Sequence, residues 1–79
     1  MIVEIKYFGK IADVTQLSDE QIDLKSEVNI GDFLSDLVKK YPDLKKEEFK
    51  IALNQEFVEA DFLIEKNCEI ALLPPFAGG

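Results

Sequence analysis

The sequence predicts an α+β domain in which a mixed sheet carries one main helix on one face. Three observations point there. The segments IVEIKYF, QIDLK and EIALL each place apolar residues at every second position, the period of a half-buried strand. Between them, NIGDFLSDLVKKYP carries an apolar stripe at helical spacing. The order is strand, strand, helix, then strands, with no internal repeat, and 79 residues leave room for one domain only, 1–79.

The first strand, 2–8, directs Val3, Ile5 and Tyr7 to the core and Ile2, Glu4, Lys6 and Phe8 the other way. Residues 9–18 read as a loop. Residues 21–25 form a second strand presenting Ile22 and Leu24, and a hairpin with the first is expected. The helix follows from Asn29 to Pro42, with Ile30, Phe33, Leu34, Leu37, Val38 and Tyr41 on one stripe. Asn29 can cap its first amides, Val28 can staple onto Phe33, Asp32 suits the first turn, and Lys39 and Lys40 suit the last. Pro42 stops it.

Residues 43–50 are charged and read as irregular. KIALNQEFVEA then gives a strand, a turn at Asn54-Gln55 and a strand, with Ile51, Leu53 and Val58 inward. A turn at Lys66-Asn67 precedes the last strand, 69–73, with Ile70 and Leu72 inward. A helix crossing between strands of one sheet covers one face and leaves the other open. Phe8, Phe57, Ala71 and Leu73 fall on the open side by parity, an apolar patch that points to a partner. A bulge would instead turn Phe8 or Phe57 into the core.

Composition narrows the chemistry. Apolar residues make up 47% and charged residues 32%, as in a folded globular chain. Net charge is −7, which disfavours nucleic-acid binding. All nine cations are lysines, with no Arg, His or Trp. That removes the bidentate clamp for phosphate, the usual general base, the Ser-His and Cys-His pairs and the imidazole ligand. A single cysteine, Cys68, excludes an internal disulfide, and nothing near it in sequence depresses its pKa, so it is assigned no role. The charged start is not a signal peptide and no run is long enough for a membrane span, so the expected compartment is the cytoplasm. The acidic pairs Asp19-Glu20 and Glu47-Glu48 read as solvated surface, with steering toward a basic partner the other reading.

The ending LLPPFAGG is the unusual part. Pro74 and Pro75 stiffen the root of a flexible tail, 74–79, whereas Gly78 and Gly79 carry no Cβ and can thread a narrow channel. With Asn54-Gln55 at the turn and the last strand before it, this segment resembles the small, sulfur-carrying subunit of molybdopterin synthase, a MoaD-like member of the ubiquitin-like ThiS family. The turn at 66–69 departs from the Asp-Gly-Asp type turn usual there, and Asn67 is expected at positive φ in its place.

The resemblance implies a ubiquitin-like β-grasp and a carrier that is not catalytic alone. It implies that an E1-like enzyme uses ATP to adenylate the Gly79 carboxylate, and that a sulfur donor converts the acyl-adenylate to a thiocarboxylate. The sulfur then passes to cyclic pyranopterin monophosphate inside the large synthase subunit, in a complex of two copies of each chain, giving molybdopterin. No cofactor or metal is expected on this chain. Phe8, Phe57, Leu73, Pro74, Pro75, Phe76, Ala77 and Gly78 are the expected partner-binding residues. The alternatives are a carrier for thiamin thiazole or tRNA thiolation, or a ubiquitin-like modifier.

Overall fold

A computed structural model of the protein describes residues 1–75. Seven strands and two helices follow in the order β1 (Ile2–Tyr7), α1 (Lys10–Thr15), β2 (Asp19–Asp23), β3 (Val28–Asn29), α2 (Ile30–Lys40), a 3-10 turn (Pro42–Lys46), β4 (Lys50–Leu53), β5 (Glu56–Phe57), β6 (Leu63–Ile64) and β7 (Cys68–Leu73). Five strands form one sheet in the order β2-β1-β7-β4-β5, and β3 pairs with β6 in a second, small one. β1 and β7 run parallel while the other neighbours are antiparallel, so the sheet is mixed.

α2 forms where its stripe predicts. Asn29 Oδ1 accepts the Asp32 N–H at 2.8 Å, closing the first turn. Ile30, Phe33 and Leu37 are buried, meeting Val3, Ile5 and Tyr7 of β1 and Ile70 and Leu72 of β7 in one core. Full burial of such a side chain stabilises by about 1.5–3 kcal/mol, so this seam holds the helix to the sheet.

Several expectations are corrected. Residues 10–15 form a helix rather than a loop, because Ile11 and Thr15, one turn apart, both face the core. Gln16 ends it in the left-handed conformation, φ 61°. The second strand lies two residues earlier than expected; it pairs antiparallel with β1 as expected, with α1 in the connection between them. Residues 42–46 wind into a 3-10 turn that drives Leu44 into the core, 1% exposed. Ile64 on β6 is a further buried residue outside the predicted core. The last strand starts at Cys68.

The two polar turns divide. Asn54 and Gln55 both adopt positive φ, 48° and 71°, joining β4 to β5 as expected. Asn67 does not take positive φ. Its Oδ1 instead accepts the Ile2 N–H at 2.7 Å, so the residue ties the β6–β7 turn to the start of β1.

Glu20 also departs from expectation. It is not solvated surface: its carboxylate accepts the Tyr7 hydroxyl at 2.8 Å and the Tyr41 hydroxyl at 2.9 Å, and it pairs with Lys40. Burial pushes this carboxyl up, but the hydrogen bonds from Lys40, Tyr7 and Tyr41 outweigh it and hold Glu20 below its ordinary range. Burial first, and then the Glu20 carboxylate, raise the Tyr7 phenol. The two rings meet edge to face, centroids 6.3 Å apart. This cluster locks the end of α2 onto β1 and β2.

Candidate functional site: an apolar dish at the root of the tail

The face of the sheet opposite α2 gathers the outward residues of β1, β4, β5 and β7. Strand register sets Lys6 beside Ala71, Ala71 beside Ala52 and Ala52 beside Phe57, one row across four strands. In a neighbouring row Leu73 lies beside Lys50. Phe8 follows β1, and its N–H donates to the Leu72 carbonyl at 3.2 Å, which brings it alongside the end of β7. Small and large side chains therefore alternate. Ala52 and Ala71 are the low floor of a shallow concavity of about 430 Å³, and Phe8, Phe57 and Leu73 rise around them.

Phe8 is 42% exposed and Phe57 64%. Neither is turned inward by a bulge. Ala52 beneath them is buried, although it lies on the face opposite the main core. The rim is polar: Lys6, Gln55 and Glu69 border the dish, with Lys6 Nζ 3.7 Å from Glu69 Oε2. Lys50 Nζ sits 5.5 Å from the centre of the Phe57 ring, a cation–π approach that leaves much of the ring open. An apolar centre with a charged rim is the anatomy of a protein-docking surface.

The dish runs directly into the tail. β7 ends at Leu73, Pro74 is half-buried and Pro75 exposed. The Pro74 ring lies against Gly9, where an added Cβ would come within 2.8 Å of Pro74 Cγ, and Gly9 has φ +59°. Pro74 and Pro75 also border a second hollow, of about 240 Å³, with Lys10, Ile11, Glu47 and Glu48. Glu47 and Glu48 thus stand beside the root of the tail. Of the predicted residues, Phe8, Phe57 and Leu73 border the dish and Pro74 and Pro75 border the second hollow, whereas Phe76, Ala77, Gly78 and Gly79 lie outside the described residues.

Sequence reasoning missed Ala52 as part of the floor, and missed Lys10, Glu47 and Glu48 as neighbours of the prolines. Parity alone places Ala52 on that face, since Ile51 and Leu53 on either side of it are expected inward. The other three depend on how the 3-10 turn folds back, which no local pattern shows.

Among the described residues no group of His, Cys, Asp or Glu could hold a metal ion. Cys68 is half-buried against the core, and burial pushes its thiol up, away from the reactive thiolate. No helix among the described residues is long and apolar enough to cross a membrane.

The model of the ThiS family matches residues 5–79. The chain belongs to that family. It is similar to the human molybdopterin synthase sulfur carrier subunit, 29% identical over 82 residues, with 98% of this chain and 93% of the human one covered. In structure it is similar to SAMP1 of Haloferax volcanii, with a TM-score of 0.82, 25% identity and both chains covered completely. It is also similar to a chain in the complex of subunits 1 and 2 of molybdopterin-converting factor from Helicobacter pylori, with a TM-score of 0.69, 27% identity and both chains covered completely. The fold is the ubiquitin-like β-grasp, an α+β domain with a mixed sheet and one main helix.

Proposed function

We propose that this ThiS-family chain is the sulfur carrier of a molybdopterin synthase. The observation that carries the reading is the continuity of the apolar dish with the tail: Ala71 and Leu73 belong to the dish, and Pro74 is the next residue. Support comes from the human relative, which is named as a sulfur carrier subunit, and from the Helicobacter pylori neighbour, which was seen in complex with its second subunit.

The chemistry proposed for the tail follows from what a carboxylate lacks. Carboxylate oxygen is a poor leaving group, so an E1-like partner joins the Gly79 carboxylate to AMP from ATP, releasing pyrophosphate. A persulfide-type donor attacks the carbonyl, AMP leaves, and reductive cleavage of the S–S bond by a thiol leaves a thiocarboxylate. That sulfur attacks cyclic pyranopterin monophosphate in the large subunit, and two transfers complete one dithiolene. Water cleaves each carrier–product thioester and restores the Gly79 carboxylate.

The chain's own residues dock and aim. Phe8, Phe57 and Leu73 hold the partner, Pro74 and Pro75 keep the root extended and reduce the freedom lost on docking, and Phe76 to Gly79 enter the partner's channel. A complex of two large and two small subunits is the assembly proposed. The test is mass spectrometry of the chain incubated with an E1-like enzyme, ATP and a sulfur donor. The expected product is heavier by the difference between sulfur and oxygen, and is lost again when the large subunit and the pterin precursor are added.

The likeness to SAMP1, a small archaeal modifier protein, favours a second reading, in which Gly79 is joined to lysines of other proteins. Isopeptide-linked conjugates in cells, absent when Gly79 is deleted, would favour it. Sulfur delivery to a thiazole or a tRNA would appear as binding to a different large partner through the same dish.

A further inference from the structure

β2 is an edge strand of the sheet, paired only with β1 among the described residues. Its free edge can be phased. The Met1 ammonium donates to the Leu24 carbonyl at 2.9 Å and the Leu24 N–H donates to the Met1 carbonyl at 2.8 Å, while the Tyr7 N–H donates to the Ser18 carbonyl at 2.9 Å. Even-numbered residues therefore bond to β1. Asp19, Gln21 and Asp23 point their N–H and C=O groups away from the sheet, the arrangement an added strand needs.

Beside this edge, between β2 and α2, runs a groove of about 270 Å³. Half-buried Ile22 and Leu24 form one wall and Phe33 and Leu37 the floor, with Asp36 and Lys40 at the mouth. An extended segment pairing with β2 would drop alternate side chains into this groove, opposite Leu24 and Ile22, and turn the others to the open face, opposite Asp23 and Asp19. Those acidic positions decide the occupant. A second copy pairing antiparallel about Gln21 would set each Asp19 against an Asp23, and like charges directly opposite are destabilising. Asp23 already meets the Met1 ammonium at 3.4 Å and Lys25 at 3.2 Å but remains 54% exposed.

We infer that the free edge of β2 and its groove are a second docking site, separate from the dish, for an extended segment of a partner protein that alternates apolar and basic residues. Read antiparallel from Leu24 to Asp19, the segment carries apolar residues opposite Leu24 and Ile22 and Arg or Lys opposite Asp23 and Asp19. The groove lies on the face opposite the dish, while the basic residues of the segment stand on the dish face beside Asp19, which is in register with Lys6 of the rim.

The test uses the full chain, labelled with nitrogen-15, and two acetylated peptides, GVRVTTRG and GVEVTTEG. The basic peptide should move amide resonances of residues 19–24 and 33–40 and leave Phe8, Phe57 and Leu73 in place, binding roughly tenfold or more tightly than the acidic one from two cross-strand charge pairs. The double variant Asp19→Lys with Asp23→Lys should reverse that preference, an outcome that a misfolded protein could not give. Equal binding of the two peptides, shifts confined to the dish, or no shifts at millimolar peptide would overturn the proposal. So would self-association through β2 in analytical ultracentrifugation, which would make the occupant a second copy.

Discussion

Phe57 offers the sharpest separation of docking from folding. It is 64% exposed, so folding hides only about a third of the side chain. If complete burial is worth about 1.5–3 kcal/mol, Phe57→Ala should cost folding about 0.5–1 kcal/mol, plus a few tenths at most from the Lys50 approach. The exposed remainder would leave water only against a partner, worth about 1–2 kcal/mol, and central aromatic anchors commonly exceed 2 kcal/mol. Binding to the large synthase subunit should therefore weaken about 10- to 100-fold, while the thermal midpoint falls by no more than about 4–8 °C. Isothermal titration with the large subunit measures the first, and thermal unfolding of the carrier alone measures the second. A dissociation constant unchanged within about twofold would remove Phe57 from the interface. A stability loss above about 2 kcal/mol would mean that the ring is a core group after all.

Glu20→Gln should destabilise by about 1–3 kcal/mol near neutral pH, because three donors lose a charged acceptor. The folded carboxyl lies below its ordinary range, so its contribution is present above the unfolded glutamate value of about 4.3 and is lost as pH falls through the folded one. Urea unfolding should show the gap between native and variant closing on acidification below about pH 5, and a gap independent of pH would refute this account. Leu44→Ala, at a site 1% exposed, should cost about 2–5 kcal/mol in the same assay, against almost nothing if residues 42–46 were an unpacked loop. Deleting Gly79 shortens the arm by about 3.5 Å and should lower sulfur transfer by about 100-fold or more in reconstituted synthase, with the complex still intact by size-exclusion chromatography. Normal transfer by the shortened chain would show that the Gly79 carboxylate is not the reacting group.

The parts of the fold legible in the sequence were those with a long period. The stripe from Ile30 to Tyr41 repeats over three turns, and Val3, Ile5 and Tyr7 alternate over a full strand, so helix α2 and strand β1 could be placed within a residue or two. Helix α1 was not legible because six residues give barely one repeat, and Ile11 and Thr15 become a pair only once the sheet is beneath them. Leu44 sits alone among charges, with no periodic neighbour to mark it. Glu20 looked like surface because its three partners, Tyr7, Lys40 and Tyr41, come from β1 and the end of α2, 13 to 21 residues away. The dish was readable for a simple reason: parity on a strand assigns a face without knowing the neighbours. The hollow beside Pro74 and Pro75 was not, since it needs the fold-back of the 3-10 turn.

The sheet order places β7 in the middle of the five strands, paired with β1 on one side and β4 on the other. An arm that starts from a central strand has a fixed origin, because that strand cannot move without breaking two ladders. A partner gripping Phe8, Phe57 and Leu73 would therefore find Pro75 at a fixed place, and the five residues from Pro75 to Gly79 reach at most about 18 Å from there. On the proposed route, the adenylating enzyme and the synthase both need the same terminal carbonyl, and both would find it by the same dish. They cannot hold the dish together. On that route the carrier would leave one before it meets the other, and the two partners should compete for one molecule of carrier.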